Sequence, residues 1–242
     1  MKLPVSVLGK KISPIMRLAA AIIIAVLLLF TAIRTVSWYR RTVNARLLTV
    51  VNAWNPVSET GYTAKLMPIE NGLQVDRACE SALREMLNDC RAAGCSPVVL
   101  YAYRSLDEQL VLRDDEVQRL VDSGMTPEGA EAVISRRIAE PGRSEHELGL
   151  AVDIVDADNR SLDESQATTP TGRWLEGNAW RYGFIQRYPR DGGEITGYSW
   201  HPWHYRYVGE DAAGNIYALG ITLEEYLSLF YSDEAAVVYD RS

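Results

Sequence analysis

Ser144-Glu145-His146-Glu147-Leu148-Gly149-Leu150-Ala151-Val152-Asp153 is the stretch on which the reading of this chain turns. From Gly149 the pattern GLAVDIV alternates as a strand does, whereas the residues before it are polar and carry a histidine. An aspartate set among Val152, Ile154 and Val155 is expensive to bury unless a cation faces it. The bland reading, a surface histidine and a solvated acid, leaves those apolar neighbours without a purpose.

The chain has 242 residues and three histidines, and the other two follow in His201-Pro-Trp-His204-Tyr-Arg-Tyr-Val-Gly209. Zinc takes imidazole nitrogen and carboxylate oxygen at ~2.0–2.2 Å, and a hydrolytic site keeps three protein ligands with a fourth position for water. His146, Asp153 and one of the two later histidines supply such a set. In a single straight strand at ~3.3 Å per residue, positions 146 and 153 would lie about 23 Å apart. The chain must therefore fold back at Gly149, with His146 on a loop and Asp153 on the strand. His204 begins a second strand, sharing its face with Arg206 and Val208, and Pro202 separates it from His201.

Outward from these motifs, charge divides the chain. The first 46 residues carry eight Lys or Arg and no acid, and the remainder has 17 basic against 32 acidic side chains. So acidic a domain excludes a nucleic-acid partner, whose phosphates demand a basic face. Residues 18–33, LAAAIIIAVLLLFTAI, are uncharged between Arg17 and Arg34. The run is shorter than the ~20 residues of an average spanning helix, but flanking arginines can snorkel and Trp38 and Tyr39 extend its interfacial end. A cleaved signal peptide is the alternative, and no small-x-small cleavage site follows. The expected organisation is a short basic cytoplasmic tail (1–17), a single transmembrane signal anchor (18–39), a stalk (40–60) and one domain (61–242). Arg34, Arg40, Arg41 and Arg46 make the far flank as basic as the near one, so charge leaves the orientation open.

The spacing predicts helices over 75–93, 105–123, from 126 to before Pro141-Gly142, over 171–182 and over 222–231. Strands are expected over 97–102, 149–155 and 204–208, with 37–75 irregular. Ser105 and Glu108 form a capping-box signature for the second helix. Without regular βαβ alternation, these elements make an α+β domain, a small antiparallel sheet flanked by helices. Cys79 and Cys90 share a helical face but lie about 16 Å apart along it. Cys90 could pair with Cys95 across Gly94, or all three could be buried thiols, and without a C-x-x-C pair a cysteine zinc site is not expected.

Ser144 to Asp153 matches S-x-H-x-x-G-x-A-x-D, and Pro202 to Gly209 matches P-W-H-x-R-Y-V-G, with one residue between His204 and Arg206. With Glu70-Asn71-Gly72, Tyr103-Arg104-Ser105, Gln109, Trp174-Leu175, Asn178-Ala179-Trp180, Tyr182-Gly183-Phe184 and Arg187-Tyr188-Pro189, the chain over roughly 50–220 resembles the VanY-type D-alanyl-D-alanine carboxypeptidases of the LAS metallopeptidase fold. The resemblance implies a zinc peptidase that removes the C-terminal D-alanine from peptidoglycan stem peptides, and a substrate outside the cell membrane gives the anchored catalytic domain an extracytoplasmic orientation. It implies His146, Asp153 and His204 as the zinc ligands, and Arg104 as the cation that steadies the oxyanion or orients substrate. It also implies Ser105, Gln109 and Ser144 as contacts to the substrate's terminal carboxylate. A helix cap is the competing role for Ser105, and a solvated side chain for Gln109. L,D-carboxypeptidases and D,D-dipeptidases share the fold, and pocket shape separates them.

One position departs from the family. Three residues before the last histidine ligand the family carries Glu, the base that takes a proton from the attacking water, and here stands His201. Imidazole can act as such a base. Three expectations follow: a peptidase with His201 as base, a slow enzyme, or a zinc-bearing cell-wall-binding protein without catalysis.

Overall fold

The chain divides into two compact units, residues 1–45 and 46–242. The computed structural model describes residues 22–31 and 46–231. In the first unit, residues 22–31 are helical and their large apolar side chains are exposed. They are the described part of the span expected over 18–39, whose remainder lies outside the described residues, as do the basic tail 1–17 and the acidic end 232–242. Among the described residues, no helix is long and apolar enough to cross a membrane.

The second unit is α+β. Strands β1 (Leu66–Pro68) and β2 (Gln74–Asp76) form an antiparallel hairpin. Helix α1 (Glu80–Ala92) follows, then β3 (Pro97–Tyr101), α2 (Leu106–Asp122) and α3 (Pro127–Ile134). Next come β4 (Ala151–Asp156), α4 (Pro170–Asn178), β5 (Phe184–Gln186), a single turn α5 (Gly193–Thr196) and β6 (His204–Tyr207). Helices α6 (Glu210–Leu219) and α7 (Leu223–Phe230) end the described chain. The main sheet is antiparallel throughout, in the order β3-β4-β6-β5.

Every residue of β4 is buried, because it lies inside the sheet with both faces covered. Helix α1 contributes Leu83, Met86, Leu87 and Cys90 to the core, the stripe expected from their spacing. Each such side chain, fully removed from water, contributes about 1.5–3 kcal/mol. The helix expected over 75–93 begins later, at Glu80. The Asp76 carboxylate accepts from the Lys65 and Ala78 amides, and Val75 is paired with Met67, so the hairpin claims 74–76.

That hairpin was not anticipated within 37–75, although its turn was: Asn71 (φ 60°) and Gly72 (φ 74°) both adopt the left-handed conformation. Leu47, Leu48, Val50 and Val51, in the stretch read as stalk, are buried among the core residues. Helix α6 was not anticipated either; Gly214 interrupts its pattern, and left-handed Gly220 stops it. All three cysteines are free thiols.

Candidate metal centre

Three backbone devices bring the ligand candidates together. His146 sits on a single 3-10 turn (Glu145–Leu148) that ends at Gly149 in the left-handed conformation (φ 68°), so the chain turns back directly into β4. A Cβ at Gly149 would lie 2.9 Å from the Asp76 amide nitrogen, so bulk as well as backbone conformation demands glycine there. Asp153 on β4 and His204 on β6 are register partners in neighbouring strands. The ligand atoms of His146, Asp153 and His204 all lie within 4.8 Å of one another, and all three residues are buried.

Hydrogen bonds fix which nitrogen each imidazole presents. His146 Nδ1 lies 2.7 Å from the Ala102 carbonyl oxygen, which can only accept, so Nδ1 carries the proton. The other nitrogen, Nε2, then presents its lone pair to Asp153 Oδ2 at 3.3 Å. His204 Nε2 lies 3.4 Å from Glu145 Oε2, while its Nδ1 lies 2.9 Å from Asp153 Oδ1. One nitrogen of each imidazole and a carboxylate thus converge on one point, where a divalent cation could be held. Ligating histidines ordinarily donate their second N–H to a carbonyl or carboxylate in this way. The donor set, two imidazoles and one carboxylate, suits zinc.

The surroundings favour an ionised Asp153. Burial would raise the Asp153 carboxyl, but the charges and hydrogen bonds of His146 and His204 outweigh it and hold the group well below the usual carboxylate range. Burial lowers His146 despite Asp153, whereas for His204 the hydrogen bonds it makes to Asp153 and Glu145 overcome burial and raise it.

A cavity of about 300 Å³ opens over the three ligands, lined also by Arg104, Gln109, Ser144, Tyr188, His201 and Trp203. Arg104 Nη1 donates to Gln109 Oε1 at 2.8 Å, and its guanidinium lies over the Tyr101 ring at 4.9 Å. Gln109 is buried, not solvated, and its amide donates to the Ala139 carbonyl at 2.7 Å, so it fixes Arg104 in place. Ser144 is buried in the wall. Ser105 is different: its hydroxyl donates to Glu108 Oε2 at 2.8 Å and accepts from the Glu108 amide at 3.3 Å, completing the capping box of α2. Ser105 is not among the cavity-lining residues.

His201 is buried beside the ligands. Its ring stacks on Trp203 with centroids 4.7 Å apart and meets Tyr188 edge-on at 5.3 Å. Its Nε2 lies 3.2 Å from Ser199 Oγ. Burial, helped by the His204 charge, pushes its pKa down to about 3, so the ring is neutral through the physiological range.

Sequence reasoning missed one group. Glu145, Arg187, Arg206 and Glu224 are buried together behind the centre. Arg187 Nε donates to Glu145 Oε1 at 2.8 Å and Arg206 Nη1 to the same oxygen at 2.6 Å. Glu145 adjoins a candidate ligand, but its partners lie 42 and 61 residues away, and no local pattern announces them.

An α+β domain with a buried His, Asp, His set under an open cavity has the donor set of a metal-dependent hydrolase, with room for one ion among the three side chains. The family model described as VanY, D-alanyl-D-alanine carboxypeptidase, matches residues 72–210. A D-alanyl-D-alanine carboxypeptidase of Enterococcus faecalis is 41% identical over 182 residues, 75% of this chain and 65% of that protein. A vancomycin-resistance D,D-pentapeptidase VanY variant from a VanB-type resistance cassette, solved in complex with Zn(II), is 41% identical at a TM-score of 0.68, covering 75% of this chain and 99% of that one. VanYB in complex with D-alanine-D-alanine is 40% identical at a TM-score of 0.69, covering 76% and 98%. The chain belongs to the VanY D-alanyl-D-alanine carboxypeptidase family. It spans about half to two thirds of the length of the curated relatives it matches.

Proposed function

We propose that this protein is a zinc-dependent D-alanyl-D-alanine carboxypeptidase that removes the terminal D-alanine from peptidoglycan stem peptides. The observation that carries the reading is the paired tautomer control: Ala102 and Glu145 engage one nitrogen of each histidine and leave the other facing Asp153. His146, Asp153 and His204 would hold the ion. Zinc, when bound, supplies a Lewis acid that polarises the scissile carbonyl and makes water a competent nucleophile near neutral pH.

The chain's own residues do the rest. Arg104, half-buried and held by Gln109, presents a fixed guanidinium to the substrate's free carboxylate or to the oxyanion. His201 lines the same cavity and is the group placed to accept the proton that the attacking water loses, although burial weakens it as a base. Tyr188 and Trp203 supply apolar walls that limit water in the cavity.

His201 also favours a second reading, a zinc-bearing binder of stem peptides with impaired catalysis. A neutral imidazole brings no negative charge beside the ion, and this one is already engaged by Ser199 and Trp203. An L,D-carboxypeptidase or D,D-dipeptidase would differ in which stem it accepts. The uncharged run 18–33 between Arg17 and Arg34 supports a single-pass anchor at the cell membrane, and a cell-wall substrate supports an extracytoplasmic domain.

The full chain incubated with pentapeptide and tetrapeptide stems tests the reading by its products. Free D-alanine from the pentapeptide alone fits a D,D-carboxypeptidase. Release from the tetrapeptide alone assigns an L,D-enzyme, and release of a dipeptide assigns a D,D-dipeptidase. Saturable binding of intact stems with no product assigns the binder.

A further inference from the structure

Behind the metal centre runs a continuous buried chain of charges. Glu145 Oε2 faces His204 Nε2 at 3.4 Å, and Glu145 Oε1 accepts from both Arg187 and Arg206. On its other side Arg187 makes a two-pronged pair with Glu224, at 2.8 and 2.6 Å. Glu224 Oε1 also accepts from Asn52 Nδ2 at 3.2 Å. Arg206 donates to the Leu47 and Thr49 carbonyls at 2.9 and 2.8 Å.

Two carboxylates and two guanidinium groups balance in charge, and all four residues are almost wholly buried. Four charged groups removed from water cost more than most pairs return, so such a cluster is poorly explained as a device for stability alone. It reaches the candidate ligands through the Glu145 oxygen on His204, and Arg187 also lies over the ring of Tyr188 in the cavity wall at 5.2 Å. Asn52, Leu47, Thr49 and Glu224 all lie outside residues 72–210, the stretch the family model matches.

Resting on the metal-site reading above, we propose that Glu145 is a positioning residue for His204 and that α7, through Glu224 and Arg187, is a required part of that support. The Glu145 carboxylate holds the His204 Nε2 proton, which orients the ring and leaves Nδ1 for the ion. Arg187 and Arg206 fix the carboxylate. Glu224 satisfies the outer end of Arg187, which would otherwise draw Glu145 away from the histidine.

The test is zinc affinity of the full chain, by competition with a coloured chelator, together with the visible spectrum of the cobalt(II)-substituted protein. Thermal unfolding of the metal-free form is read alongside. Glu224→Gln is expected to weaken zinc binding about 10-fold and to change the cobalt bands, within the range that lost outer-shell partners show. Glu145→Asp keeps the buried charge but shortens the arm by one methylene, and should weaken zinc by about 10–100-fold while the metal-free protein still unfolds cooperatively. It decides the matter should Glu224→Gln fail to fold. Zinc affinity and cobalt spectra unchanged in a folded Glu145→Asp protein would overturn the proposal. If the unaltered chain binds no zinc, the metal-site reading itself falls, and this inference with it.

Discussion

Asp153 and His204 stand opposite each other on adjacent antiparallel strands, and His204 Nδ1 lies 2.9 Å from Asp153 Oδ1. Strand pairing therefore sets the separation of two ligand candidates before any ion arrives, and only His146 must be delivered by a loop. A centre built on rigid strands holds its geometry better than one built on loops.

Metal removal should consequently cost stability as well as activity. With free zinc at 1,000 times its dissociation constant, binding adds about 4 kcal/mol. Chelation is expected to abolish D-alanine release and lower the melting temperature, and added zinc to restore both. An unchanged melting temperature would contradict a centre occupied in the native protein.

Gly149→Ala tests the loop that delivers His146. The substitution forces a left-handed φ on a residue with a Cβ and drives that Cβ to 2.9 Å from the Asp76 nitrogen. A loss of about 1–3 kcal/mol in urea unfolding is expected, with weaker zinc binding. Wild-type stability would show that the turn relaxes freely.

Arg104→Ala should lower kcat/KM on pentapeptide stems by about 10–100-fold, the scale of a lost hydrogen bond to a charged group. Stability should change little, because the Gln109 amide keeps its bond to Ala139. An unaffected kcat/KM would remove Arg104 from substrate recognition.

Asp156 supplies a pH-dependent contribution away from the metal. Burial opposes its charge, but the Thr171 hydroxyl and amide and the Asp158 amide donate to it and hold its pKa below the usual range. A depressed folded-state pKa gives stability that is present above the unfolded value, near pH 4, and lost as pH falls through the folded value. Asp156→Asn should therefore be less stable by about 1–3 kcal/mol at pH 7, with the gap narrowing in acid. A gap independent of pH would assign the effect to packing alone.

How much of this was legible in the sequence follows from the range of each signal. The α1 stripe, the Ser105 capping box and the turn at Gly149 are local patterns, and each appears where its spacing placed it. That His146 and Asp153 would meet a later histidine was legible because three scarce histidines and an aspartate in an apolar run are costly choices; which of the two came from the family resemblance, and the fold brings His204 to them. The β1-β2 hairpin was hidden because three-residue strands are too short for periodicity to register. The support behind His204 was hidden for another reason: Glu145 and Glu224 are joined through Arg187 only by the fold. For Gln109 the sequence leaves substrate contact and solvated side chain both open, because helical spacing does not reveal that Arg104 and Ala139 close over it.

The most direct test of the central claim is D-alanine release from a pentapeptide stem by the full chain, with bound zinc measured on the same sample, for His201 and for His201→Glu. The account predicts zinc in both proteins and chelator-sensitive release by both, faster with glutamate, whose negative charge offsets that of the ion. Zinc without release from the His201 protein, and release from the glutamate variant, would contradict His201 as the base and leave a stem-peptide binder. Absence of zinc from both would contradict the metal centre itself.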